Sequence, residues 1–81
     1  MHTLLNDPID VAVDFAGSRI RPRHIVWDKK AYQIQTVNLI HRTKEGETNI
    51  YYFSVSDNAN FFKLRLDTHT LEWRLVELYT A

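Results

Sequence analysis

The sequence predicts an all-β fold, a six-stranded antiparallel meander curled into a small barrel or half-barrel. In the segments around Phe53, Leu64 and Trp73, apolar and polar residues alternate, which is typical of half-buried antiparallel strands. Short clusters of turn-forming residues separate these segments, and no segment has the periodicity of a helix. Two strands also contain a change of phase that indicates a bulge, and bulged strands curve a sheet.

The N-terminal segment Met1–Pro8 ends in a cluster of turn-forming residues, Asn-Asp-Pro. Such clusters favour turns over strands, and chain termini are often poorly ordered. We therefore expect this segment to be a flexible lead-in and the first strand to begin at Ile9. Residues 9–81 are then expected to form a single all-β domain.

The first hairpin turn is Gly17-Ser18, because glycine in the first position suits a two-residue type II′ turn. Strand two needs a bulge near Pro22, since Ile20 and Ile25 are both apolar but an odd number of residues apart. The Gly17-Ser18 turn is expected to place Phe15 opposite Ile20 and Asp14 opposite Arg21.

The turn Asp28–Ala31 is expected to join strands two and three, and Lys44–Glu47 to join strands three and four. A second bulge near Gln35-Thr36 would keep the apolar residues of strand three in phase. The Asp28–Ala31 turn is expected to place Trp27 opposite Tyr32 and Ile25 opposite Ile34.

Turns at Asp57–Asn60 and Asp67–Thr70 are expected to join the last three strands. If each turn lies at the centre of its hairpin, all the large apolar residues lie on one face of the sheet. A slip of the pairing by one residue would move the side chains of the slipped strand to the other face. The predicted pairs are Phe53 with Leu64, Val55 with Phe62, Leu64 with Trp73, and Leu66 with Leu71. Near the end of the last strand Val76 and Leu78 change phase, so this end is either bulged or covered on both faces.

The composition limits the class of protein. A chain of 81 residues forms one domain, close to the smallest size at which a core offsets conformational entropy. The lack of cysteine excludes disulfides and thiolate metal sites, which fits a reducing cytoplasm. Ten basic and ten acidic residues cancel, so no overall field attracts nucleic acid or membrane. Without a leader or an apolar stretch of about 20 residues, we expect a cytoplasmic protein with no membrane partner.

No motif in the chain names a reaction. The four histidines lack the spacing of metal ligands, no serine occupies a nucleophile elbow, and two glycines are too few for a phosphate loop. We therefore expect no metal, no cofactor and no enzymatic activity. A deep, mostly apolar cavity inside the barrel would instead favour an enzyme or a carrier of small ligands.

The first candidate site is the outer face of the last three strands. Its residues are Tyr52, Phe61, Lys63, Arg65 and Arg74. The predicted register sets Lys63 directly opposite Arg74, which is unfavourable unless an anion lies between them. Basic and aromatic residues on a sheet face are typical of single-stranded nucleic-acid binding. The alternative is a solvated face whose charge is neutralised by Glu72 and Glu77.

Two further surfaces are candidates. A basic edge that could contact phosphates is formed by Arg19, Arg21 and Arg23, although aspartates nearby are placed to pair with them. An apolar patch would be formed by Ile40 and Ile50, together with Phe61, if the strands follow one another in order. Contiguous exposed apolar patches mark interaction sites.

The layout of Trp27, Tyr32-x-Ile34 and Trp73-x-Leu75 resembles that of small uncharacterised bacterial all-β domains. In those domains a Trp-turn-Tyr hairpin opens the sheet and a Trp-x-Leu strand closes it. The resemblance spans Trp27–Leu78 and implies an accessory or binding role. Our leading hypothesis is a small non-catalytic module that binds a protein partner or another copy of itself, and the alternative is an accessory nucleic-acid-binding domain.

Overall fold

The computed structural model describes residues 1–80, which form seven β-strands and contain no helix. Ala81, the last residue of the expected domain, lies outside the described residues. The strands are β1 (His2–Ala16), β2 (Arg19–Trp27), β3 (Lys30–Gln33), β4 (Thr36–Glu45), β5 (Thr48–Ser56), β6 (Asn60–Asp67) and β7 (Glu72–Thr80).

All seven strands belong to one antiparallel sheet with the order β3-β2-β1-β7-β6-β5-β4. The all-β antiparallel prediction is confirmed. The sheet is strongly curved. This curvature brings the ring of Tyr32 in β3 to within 5.3 Å, between centroids, of the ring of Phe62 in β6. The edge strands β3 and β4 do not pair with each other, so the sheet is not closed into a barrel, and it has seven strands rather than the predicted six.

The additional strand results from a chain crossing at Ile34 and Gln35, where the sequence indicates a bulge. The amide of Ile34 donates to the carbonyl of Arg23 in β2, and the amide of Gln35 donates to the carbonyl of Ser56 in β5. Because adjacent amides bind opposite edges of the sheet, the chain passes from one edge to the other. The predicted third strand is therefore two strands, β3 and β4.

The first strand begins at His2 rather than Ile9. The segment predicted as a lead-in pairs with β7, His2 opposite Tyr79 and Pro8 opposite Arg74. An irregularity in the register between Leu4 and Asp7 accommodates the turn-forming residues within the strand. The expected lead-in ahead of the first strand is therefore wrong.

The first hairpin has the predicted register. Gly17 has a φ of +62°, as the first position of a type II′ turn requires, and the predicted bulge leaves Arg23 without a partner between Pro22 and His24. The observed pairs include Phe15 with Ile20 and Asp14 with Arg21.

The turn between β2 and β3 is shorter than expected. Asp28 and Lys29 both have positive φ, 52° and 65°, so they form a two-residue turn of the kind that suits hairpins. Consequently Trp27 lies opposite Lys30 and Ile25 opposite Tyr32, and the predicted pairs of Trp27 with Tyr32 and of Ile25 with Ile34 are wrong.

The β5–β6 register is confirmed, but the β6–β7 register is displaced by two residues. The turn after β6 extends to Leu71, which adopts a φ of +62°. The displacement is even, so the same side chains face the core. Leu66 lies opposite Trp73, and Leu64 opposite Leu75, in place of the predicted pairs. At the end of β7 the register shift leaves Val76 bulged, which decides between the two sequence-based alternatives.

The core consists of the inward side chains of five strands. The fully or almost fully buried members are Ile9, Ile25, Phe53, Val55, Phe62, Leu64, Leu66 and Leu75. Trp27, Tyr32 and Trp73 pack against its margins. Alternation along β5, β6 and β7 thus places one face inside and leaves the other for interactions.

Leu71→Gly is expected to stabilise the protein by about 0.5–1 kcal/mol, because the exposed leucine adopts a backbone conformation that favours glycine. Urea denaturation of the two proteins measures the difference. The matched control, Leu4→Gly, removes an exposed leucine from a strand and should destabilise instead. A loss of stability in Leu71→Gly would contradict the assigned turn.

Candidate functional site

The outer face of β5, β6 and β7 brings together the residues of the predicted basic and aromatic site, but with a different pairing. Tyr52 lies opposite Arg65, as predicted. Arg65 then lies opposite Arg74, and Lys63 opposite Glu77. The predicted pair of Lys63 with Arg74 is wrong because the longer β6–β7 turn and the Val76 bulge displace β7.

Each cation on this outer face has a carboxylate partner. Lys63 Nζ lies 3.3 Å from Glu77 Oε2, Arg65 Nη2 lies 2.7 Å from Glu45 Oε1, and Arg74 Nη2 lies 3.3 Å from Glu72 Oε1. One of these partners, Glu45 of the edge strand β4, was not indicated by the sequence. Such pairing neutralises the face, so little positive charge is left for a phosphate backbone.

Three rings form a row across the outer face at the other end of the same strands. Tyr79 lies opposite Phe61, and the ring of His2 stacks on that of Tyr79 with centroids 4.1 Å apart. Phe61 is 58% exposed and Tyr79 47% exposed. Beside them is a shallow groove of about 470 Å³ that also reaches Lys63 and Glu77. The sequence did not indicate His2 or Tyr79, because their contact depends on the pairing of β1 with β7.

The hydrogen bond from His2, together with the ion pair to Lys63, holds the pKa of the Glu77 carboxyl below its ordinary value of 4.5. A carboxyl with a lowered folded-state pKa stabilises the protein above its unfolded pKa, and this contribution is lost as the pH falls through the folded pKa. We expect the stability advantage of the wild type over Glu77→Gln to be full above about pH 5 and to shrink on acidification. Urea titrations across this range measure it, with Glu47→Gln as a control; an advantage that is unchanged down to pH 3 would contradict the contact.

The predicted apolar patch does not form, because its three residues lie in different places. A register shift between Val37 and Leu39 turns Ile40 toward the core side, opposite Phe53, where it is 48% exposed. Ile50 is only 1% exposed, beside Asn49, whose carbonyl accepts hydrogen bonds from Thr68. Phe61 lies on the outer face, opposite Ser56. Of the three, Ile40 and Phe61 remain accessible.

Ile40 instead lines a groove of about 680 Å³ on the open side of the sheet. The groove lies between the beginning of β2 and the beginning of β4, and its lining includes Phe53 and Tyr51 of β5. Its other apolar residues are Ala16, Ile20, Val37 and Leu39. This open groove extends to the fully buried Phe53.

Both walls of this groove are strand edges. Among residues 1–80, β4 pairs only with β5, so the other side of this ten-residue strand has no strand partner. In β2, β3 covers His24–Trp27 alone, which leaves residues 19–22 without a strand on that side. At one end the groove is closed by the chain crossing at Ile34 and Gln35, which is hydrogen-bonded to Arg23 of β2 and to Ser56 of β5. An unpaired strand edge is a ready template for another chain.

The predicted basic edge divides into two parts. Arg23, in the bulge, places its Nε 3.4 Å from Asp14 Oδ2. Arg19 and Arg21 line the groove, and within the described part of the chain neither forms an ion pair. Arg42, the cross-strand neighbour of Tyr51, is likewise without a carboxylate partner in residues 1–80. The groove therefore has an apolar interior and a positively charged rim.

Comparisons with known proteins supply no further assignment: no family model, no curated protein and no solved structure matches this chain. Within residues 1–80, no three histidine or acidic side chains are grouped so that they could hold a metal ion. The described chain also has no helix long and apolar enough to cross a membrane.

Proposed function

We propose that this chain is a small non-catalytic interaction module that binds a protein partner, or another copy of itself, through the open side of its sheet. The observation that carries the proposal is the unpaired edge of β4 beside an apolar groove. Extended segments bind such edges through main-chain hydrogen bonds, while alternate side chains enter adjacent pockets. The resemblance to small bacterial all-β domains supports an accessory role of this kind, and the lack of cysteine favours the cytoplasm.

Selection of random peptides displayed on phage, combined with light scattering of the free protein, tests this proposal. We expect either peptides that bind the wild type but not Ile40→Asp, or a dimer that Ile40→Asp dissociates, because the carboxylate enters the groove beside the β4 edge. The matched control is Leu4→Asp, which alters an exposed leucine on β1, outside the groove. A monomer that selects no peptide sensitive to Ile40→Asp would overturn the proposal.

Accessory nucleic-acid binding is the second candidate, favoured by the exposed rings of Phe61 and Tyr79 beside Lys63. Bases can stack on such rings. The paired state of the cations places this candidate behind protein binding, since phosphate contacts would have to displace carboxylates. Fluorescence anisotropy with a single-stranded oligonucleotide at low salt tests it. Binding that weakens steeply with salt and is lost in Lys63→Glu would support this function, and unchanged anisotropy would exclude it.

A further inference from the structure

The two walls of the groove are the edges of β2 and β4, which lie on either side of a gap in the curved sheet. From the closed end at Ile34 and Gln35, β4 runs outward from Thr36, whereas β2 runs inward from Arg19. The two edges therefore face each other in opposite directions across the gap. An extended segment placed in the gap would lie antiparallel to one edge and parallel to the other, and both orientations form regular ladders.

We propose that this gap binds an extended, acidic segment of a partner protein, inserted as an additional strand. This inference rests on the proposed function and names the partner's chemistry. Side chains alternate in direction along a strand, so every second residue of the inserted segment would face the apolar groove lined by Ile20, Val37 and Ile40. Apolar residues at these positions would cover the apolar lining of the groove, which reaches the core at Phe53.

The charge around the gap determines the other residues of the segment. Arg19 and Arg21 on one wall and Arg42 near the other have no carboxylate partner in the described chain. The cations of the outer face, in contrast, are paired with Glu45, Glu72 and Glu77. Carboxylates between the apolar residues of the inserted segment would meet these free arginines, and such complementarity sets specificity and association rate.

The same charges disfavour a second copy as the occupant. The exposed edge of β4 carries Arg42 and Lys44, and its Glu45 is already bound to Arg65. Insertion of another copy's β4 would bring its cations next to Arg19 and Arg21 on the opposite wall. Like charges brought together without a counterion are unfavourable, so the groove suits a chain of opposite charge.

Fluorescence anisotropy with a labelled synthetic peptide of alternating valine and glutamate tests this inference. We expect the acidic peptide to bind at least about tenfold more tightly than its valine-glutamine counterpart, and the valine-lysine peptide not to bind. The double variant Arg19→Glu with Arg21→Glu should abolish this preference. The matched control, Lys29→Glu with Lys30→Glu, makes the same change of charge in the β2–β3 turn and should retain it.

A second peptide, in which alternate backbone amides are methylated, tests insertion as a strand. Methylation keeps the side chains and charges but removes the donors that pair with an edge, so we expect binding to be lost. Equal binding of the methylated peptide, equal binding of the neutral peptide, or no binding of the acidic peptide would each overturn the inference. If the neutral peptide binds equally and Ile40→Asp abolishes both, the proposed function stands while the acidic partner is wrong. Likewise, if the free protein is a dimer that Ile40→Asp dissociates, the proposed function stands while the acidic partner is wrong.

Discussion

Replacing Phe53 with alanine is expected to lower the free energy of unfolding by about 3–5 kcal/mol, the largest of the expected effects. Phe53 is fully buried in β5, and its ring lies 5.3 Å from that of Trp73 and 6.2 Å from that of Tyr51. Truncation of a buried phenylalanine costs about 3–5 kcal/mol, because apolar contact is lost and a cavity remains. A domain of this size has a total stability of only about 4–12 kcal/mol, so the loss removes at least about a quarter of it.

Urea denaturation followed by tryptophan fluorescence measures this loss. Phe61→Ala is the matched control, since the same truncation at an exposed position is expected to change stability by less than about 0.5 kcal/mol. If both variants lost the same small amount, the core would not be organised around Phe53.

Replacing Trp27 with alanine is expected to cost about 3 kcal/mol, the second largest effect. The Trp27 indole N–H donates a hydrogen bond of 2.9 Å to Asp7 Oδ2, which ties β2 to the N-terminal part of β1. Its ring also packs against Tyr32, with centroids 6.3 Å apart. The alanine variant therefore loses packing and leaves a partly buried carboxylate without its donor.

Trp27→Phe separates these two contributions, because it keeps most of the ring contact and removes only the donor. We expect it to cost about 1–2 kcal/mol, since a partly buried carboxylate loses a hydrogen bond. Asp7→Ala added to Trp27→Phe should then cost little more, which a double-mutant cycle measures. Additive losses from the two changes would show that the hydrogen bond does not couple β1 to β2.

The hairpins that the sequence predicted correctly are those whose turns have ordinary chemistry. Gly17 favours the turn it occupies, and alternation on both sides then fixes the register of β1 with β2. The registers that were wrong follow turns in which Lys29 and Leu71 adopt positive φ. These residue types rarely take that conformation, so nothing in the sequence indicates where such a turn ends.

The position of β1 depends on contacts that are remote in the chain. His2–Pro8 is held in the sheet by pairing with β7 at the opposite end of the sequence. Local propensity in this segment favours a turn, and the distant pairing overrides it. The crossing at Ile34 likewise depends on hydrogen bonds to two separate strands.

For the candidate site, the sequence predicted on which face of the sheet a side chain lies, but not which residues it contacts. Alternation correctly put Tyr52, Lys63 and Arg65 on one side of the sheet. The ionic partner of Lys63, however, depends on the bulge at Val76, and that of Arg65 lies in β4. The bulge in β4 similarly turned Ile40 into the groove. The groove is formed by the order of the strands around an open side, and no local pattern encodes this order.

Amide hydrogen exchange of the free protein, measured residue by residue by NMR, tests most directly whether the open side is available to a partner. Alternate amides of β4, and those amides of residues 19–21 that point away from β1, should exchange rapidly because no strand covers these edges. Amides of β6 and β7, which pair on both sides, should be protected. Strong protection along the outer edge of β4 would show that this edge is already covered and would contradict the proposed interaction surface.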